Sequence, residues 1–386
     1  MEQSSEFYCI ATACEQQWLY QIGEEGIIYS QKQNRIAGLD AAGLLAYQAF
    51  DAGASLQDLQ ELAGASHASP MTAEALETIF ALSKEEFPKT QESEERQNWP
   101  PLVSPTAANI EVHGIPILIE CPHKVLEVLC KDCFLSCSST TQPARFHLRL
   151  RRMDKSWAIS VNDREFFLSM QDEQVGLGLL HTIRSLLYDV TQYDVAFHAA
   201  MVADRQNGVV LCAPRECGKS TLSAHLAAHG FVLVSDEPAL LHLDTASISP
   251  VEMPISVKEG TWSLLEEEWP QLAEAPIHVR SDGRRIKLLH PSQDRAASAP
   301  QRLTHVVFPK YSPSSAPILE ALSPIHTLAL LNEGGMFFGR QLNKATFEQF
   351  LGLVCATPAF VAHYRSLQEA DQMIQSVVNL NHRDFR

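Results

Sequence analysis

Apolar positions along this chain follow two rhythms, alternation or short blocks where strands are predicted and a three-to-four-residue spacing where helices are. Residues 18–22 and 26–30, joined by 23–25, predict a hairpin. Three short helices follow over 41–49, 56–62 and 73–87, each behind a capping residue, Asp40, Ser55 and Thr72. This makes residues 1–88 a small winged-helix-like unit. Residues 89–105 turn polar and charged and read as a linker. Residues 106–386 make a larger α/β domain. Its pattern predicts a strand over 109–120, with Gly114 and Pro116 favouring a break or an edge, and a helix over 122–138. Then come a half-exposed strand at 146–151, a hairpin of 157–161 with 165–168, and a helix over 175–190 feeding a strand at 195–202. Helices at 344–354 and 367–378 close the domain, and 332–340, with three glycines, predicts a lid.

The chemistry gathers between two apolar blocks. Residues 209–212 read as a buried strand, a tight loop ends in Gly218-Lys219-Ser220-Thr221, and a helix runs from Leu222 to a stop at Gly230. Strand, loop and helix in that order form a phosphate cradle, because loop amides and the positive end of the helix dipole point into one concavity. Gly218 permits close approach, Lys219 can reach the β- and γ-phosphates of ATP, and the Ser220 hydroxyl can ligate Mg²⁺. Ala213, Arg215, Glu216, Cys217 and Thr221 complete the expected nucleotide contacts. Ala213 stands where a consensus loop has glycine, and Glu216 sets a carboxylate near phosphate, which should weaken binding unless its side chain turns outward or Arg215 offsets it.

Residues 231–234 read as a parallel strand covered on both faces, ending in Ser235-Asp236-Glu237. Ligands bind outside the carboxyl ends of such strands, so Asp236 and Glu237 should emerge beside the loop. There a carboxylate holds Mg²⁺ or takes a proton from an attacking hydroxyl. His198, Lys258 and Lys310 are further candidates, and 278–287 is locally basic. Cys121, His123, Cys130, Cys133 and Cys137 invite zinc, but three cysteines at helical offsets also fit small residues facing a core.

Composition narrows the class. Among 386 residues, 30 basic against 46 acidic side chains leave a charge of −16, which argues against nucleic acid or an anionic membrane as partner. No apolar run approaches a membrane span and no export signal opens the chain. Nine cysteines in apparent helices and strands point to a reducing cytoplasm.

Residues 197–202, the Gly-Lys-Ser loop and 230–237 resemble the core of the HPr kinase/phosphorylase family, in its HPr kinase-related branch. Residues 254–258 and 306–311 resemble that branch too. The likeness implies a P-loop kinase core of the HPr kinase/phosphoenolpyruvate carboxykinase type and an ATP- and Mg²⁺-dependent serine kinase. In it Asp236 is the base, Lys219 and Ser220 serve phosphate and magnesium, and His198 lies near the transfer site. The family's longer signature loop has no match here. Residues 35–43 and 52–59 resemble PqqD-like domains, which hold leader peptides by adding them as a strand to a sheet edge. Three functions stay open: a kinase for a Ser/Thr hydroxyl of a peptide or small protein, as in peptide natural-product biosynthesis, a small-molecule kinase, and a nucleotide-controlled binding module. The oligomeric state, a homo-oligomer included, is open as well.

Overall fold

The first alternating residues fold as an antiparallel meander, Phe7–Ile10, Gln17–Ile22, Glu25–Ser30 and Arg35–Leu39, in that order. Gly23 turns the second hairpin with φ +61°. Asp40 then caps the helix Ala41–Asp51, its carboxylate accepting from the Gly43 N–H at 2.7 Å. This is a computed structural model, and it describes residues 7–10, 16–51, 106–112, 114–122, 138–153, 156–170, 174–214, 217–280 and 282–379. The second and third helices of the winged-helix expectation, the linker, the cysteines at 130, 133 and 137, His123, Arg215 and Glu216 lie outside the described residues. Among those described, the chain is a mixed α/β protein of five sheets and eight helices.

The N-terminal sheet shares its core with the C-terminal part. Tyr29 stacks on Phe347 at 4.2 Å and 4°, and Tyr20 lies 5.4 Å from the same ring. The Tyr29 hydroxyl sits between the carbonyl (3.1 Å) and the N–H (2.8 Å) of Leu342, which satisfies a phenol buried this deeply.

A six-stranded sheet forms the centre, in the order Val232–Ser235, Ala199–Ala203, Gly208–Cys212, His305–Tyr311, Ala359–Tyr364, Ile318–Ala321. Ala199–Ala203 and Gly208–Cys212 are buried throughout because helices cover both faces. Leu222, Leu226, Ala370 and Ile374, from Lys219–Ala228 and Leu367–Asn379, pack with Val202, Leu211 and Val307. Leu328, Phe350 and Leu351, from Pro324–Glu333 and Lys344–Ala356, pack with Met201, Val210 and Val306.

Four expectations are corrected. Val232–Ser235 is not a parallel neighbour of Gly208–Cys212. It pairs antiparallel with Ala199–Ala203, which lies between them. Asp204 and Asn207 close a tight hairpin through the Asp204 carboxylate, so the hairpin partner takes the adjacent place and the crossover helix passes over it. This edge strand is still covered, because Leu233 bridges Ala296 and accepts from the Ala297 N–H at 2.8 Å. Residues 195–202 are two strands rather than one. Val195–Phe197 belongs to a five-stranded sheet and Ala199–Ala203 to the central one, with His198 at the bend. Residues 109–120 form the two arms of a hairpin, Thr106–Val112 and Ile115–Cys121, turning at Gly114 with φ +73°.

No lid forms at 332–340. Met336–Phe338 pairs with Val195–Phe197, and a Cβ on Gly334 would lie 2.5 Å from Cys212 Sγ, so the glycines serve close packing. The hairpin of Ser156–Val161 with Arg164–Met170 joins a second six-stranded sheet packed on the helix Val175–Val190. A three-stranded sheet, Ile277–Val279, Arg285–Leu289 and Ile255–Lys258, stands beside the Gly-Lys-Ser loop.

Candidate functional site

Gly208–Cys212 leads into the loop and Lys219–Ala228 leads out of it. Gly218 caps this helix with φ +83°, a left-handed conformation that glycine adopts at little cost. No side chain caps the first turn, so its N–H groups remain for an acceptor from outside the helix. The Lys219 ammonium is buried and donates to the carbonyls of Ala213 (2.6 Å) and Pro214 (3.1 Å), holding the loop closed on itself. Burial lowers its pKa, opposed by Cys212, Glu237, Cys217 and Asp236. Cys217 is half-buried and forms no disulfide.

The acid at the end of Val232–Ser235 meets this helix although a strand separates the two. Ser223 donates to Asp236 Oδ1 at 3.1 Å, and Ser220, one turn earlier, also bonds the carboxylate. Burial pushes the Asp236 pKa up to about 7, and the negative Glu237 adds to it. The two serines and Arg184 oppose the rise without cancelling it. Glu237 is the reverse case. Burial raises it, but the hydrogen bond from His198 and the charges of Arg184 and His198 outweigh burial and hold it at about 2. His198 Nδ1 lies 2.8 Å from Glu237 Oε1, with Arg184 3.5 Å away on the same oxygen. Glu237 has φ +109°, a strained backbone for a residue with a side chain. Two adjacent carboxyls thus sit in one site with pKa values far apart, one poised to exchange a proton near neutrality and one fixed as an anion.

These groups line one cavity of about 450 Å³, large enough for a small organic ligand. Gly218, Lys219, Ser220, Thr221, Asp236, Glu237 and His198 all reach it, and Lys258 and Arg280 face them from the small sheet. Burial lowers the Lys258 pKa, and the Arg280 charge lowers it further. Lys310 is exposed and does not line the cavity. Lys287 is not part of an open basic patch, since its ammonium is buried on the carbonyls of Leu272 and Ala273 and over the Trp262 ring. Cys121 is a buried core thiol.

Sequence reasoning missed Arg184 and Ser223. Arg184 stands among the buried Leu180, Ile183 and Leu187 of the helix Val175–Val190, and a cation there was the available signal. Its guanidinium lines the cavity, and its Nε is buried without a hydrogen-bond partner among the described residues. An anionic oxygen in the cavity would satisfy that donor.

No protein-family model matches the chain, and no curated protein matches it. No helix among the described residues is long and apolar enough to cross a membrane.

Proposed function

We propose that the chain is an ATP-dependent kinase that phosphorylates a hydroxyl group. The observation that carries this reading is the Asp236 carboxyl, with its pKa near 7, hydrogen-bonded to the first turn of a helix that opens on a left-handed glycine. The residues fit a polyphosphate. The first-turn amides after Gly218 have no side-chain cap and the Arg184 Nε has no hydrogen-bond partner among the described residues, and Lys219 is released from two carbonyls when phosphate oxygens compete for it. Ser220 and the permanently charged Glu237 are the groups suited to Mg²⁺, which when bound neutralises phosphate charge.

Asp236 accepts the acceptor hydroxyl's proton as that oxygen attacks the terminal phosphorus, and the bond to the leaving phosphate oxygen breaks. His198 and Arg184 keep Glu237 in its strained position. Lys219 and the loop amides take the charge that develops on the transferred group. Among the described residues Phe7–Ile10 is an edge strand of the N-terminal sheet, which suits a peptide acceptor that adds to a sheet edge.

Calorimetry with ATP and Mg²⁺, and transfer of labelled phosphate to serine-containing peptides, test this reading. Lys219→Ala is expected to abolish measurable nucleotide binding. Asp236→Asn is expected to bind ATP within a few-fold of wild type while transfer falls by at least about 100-fold. Absence of a binding heat, or equal loss of binding and transfer in Asp236→Asn, overturns it.

A further inference from the structure

The far end of the helix that follows the loop carries a second cluster of ligand-type side chains. His225 and His229 stand four residues apart on one helix face, their rings 4.2 Å apart. Glu268 reaches them from the segment after the helix Trp262–Leu265. Its Oε1 lies 2.7 Å from His225 Nδ1 and 3.9 Å from His229 Nδ1. The ligand atoms of the three side chains lie within 4.8 Å of one another. We propose that His225, His229 and Glu268 form a site for a divalent transition-metal ion of the zinc type, separate from the cavity.

Three observations favour a metal over a plain hydrogen-bonded pair. The second carboxylate oxygen of Glu268 is buried with no donor among the described residues, an acceptor that the His225 pair leaves unused. His229 points its Nδ1 at the His225 carbonyl at 2.8 Å, and donating a hydrogen there fixes the neutral tautomer with its lone pair on Nε2. Two imidazoles and one carboxylate are a ligand set that zinc accepts, with water in the fourth position. The side chain of His229 is 43% exposed and that of His225 only 2%, so the cluster is anchored inside and open on one side.

Small movements suffice. Bonds of about 2.0–2.1 Å in a tetrahedral site separate ligand atoms by about 3.3–3.4 Å. Glu268 Oε1 and His225 Nδ1, now 2.7 Å apart, must therefore part by about 0.6 Å, and the exposed His229 ring must turn to bring its Nε2 to the same spacing. The hydrogen now on His225 Nδ1 moves to Nε2 of the same ring, so both imidazoles stay neutral and no electron is transferred. Trp269, next to Glu268, is fully buried and donates from its indole to the Ala224 carbonyl, and Arg295 holds the Glu268 carbonyl. The metal thus clamps the loop helix to the segment leading into the small sheet that walls the cavity.

The full-length protein, stripped with a chelator, is titrated with Co²⁺ in excess Mg²⁺ and followed by its visible absorption. The expected result is one Co²⁺ per chain, no thiolate-to-metal charge-transfer band, and binding at least tenfold weaker in both His229→Ala and Glu268→Gln. Zn²⁺ should raise the melting temperature of the wild type and not that of His229→Ala, whose half-exposed position leaves the metal-free fold intact. No Co²⁺ binding, a thiolate band, or unchanged affinity in both variants overturns the proposal.

Discussion

Asp236→Asn removes one ionisable group and keeps its shape, so stability against pH reads the burial of this carboxyl directly. The folded carboxyl titrates near 7 and the free side chain near 3.8. Between these values the native state holds a proton that the unfolded chain has released. Stability is therefore lost as pH rises through that window, and the loss is complete above the folded pKa. A gap of roughly three pH units, at about 1.4 kcal/mol each, sets an upper bound of about 4 kcal/mol. Asparagine carries no such cost and can still accept from Ser223 through Oδ1. In metal-free buffer the variant should gain on the wild type steadily from about pH 4.5 to about pH 8, and the gain should level off beyond. At about 2 °C per kcal/mol, melting temperatures would diverge by up to about 8 °C. A difference that stays flat across this window refutes the raised pKa, and with it the reason for treating Asp236 as a base near neutrality.

Two further substitutions address the frame around the site. Phe347→Ala removes a fully buried ring stacked on Tyr29 and should cost about 3–5 kcal/mol, with residues 7–51 becoming more sensitive to protease. Unchanged protease sensitivity would show that the N-terminal sheet does not depend on this contact. Gly218→Ala finds room for its Cβ, 3.6 Å from the Tyr364 hydroxyl, but must hold φ near +83°. The expected cost is about 1–2 kcal/mol, with nucleotide affinity falling as the amide cradle shifts, while an alanine that is neutral in both assays would argue against the left-handed turn.

The shared core also bears on how the acceptor can be identified. Deleting residues 1–100 would bare Phe347 and Phe338 along with any peptide-holding edge, so loss of activity after truncation would not separate a peptide acceptor from a small molecule. Competition by unphosphorylated peptides on the intact chain does separate them.

The local pieces of the fold were legible in the order of residues. Alternation over 17–30, the helical spacing of 175–190, 344–354 and 367–378, the Asp40 cap and the turn into Lys219–Ala228 are set within a few residues, where backbone preference and side-chain periodicity act. It also brought Gly218, Lys219, Ser220 and Asp236 forward as one group, because the glycine, the lysine and the strand-end acid each have a local signal. The tertiary structure alone decided the order of strands. Residues 195–202 look continuous because every apolar residue there is buried, but the bend at His198 follows from two sheets claiming the two halves. The 332–340 segment has a lid's composition and a core's packing, since its glycines make room for Cys212 and Tyr193. Arg184, Ser223 and the pairing of His225 with Glu268 depend on residues 13 to 53 positions apart in sequence meeting in space. Such contacts leave no periodic trace, because only burial and the need to satisfy buried charge select them.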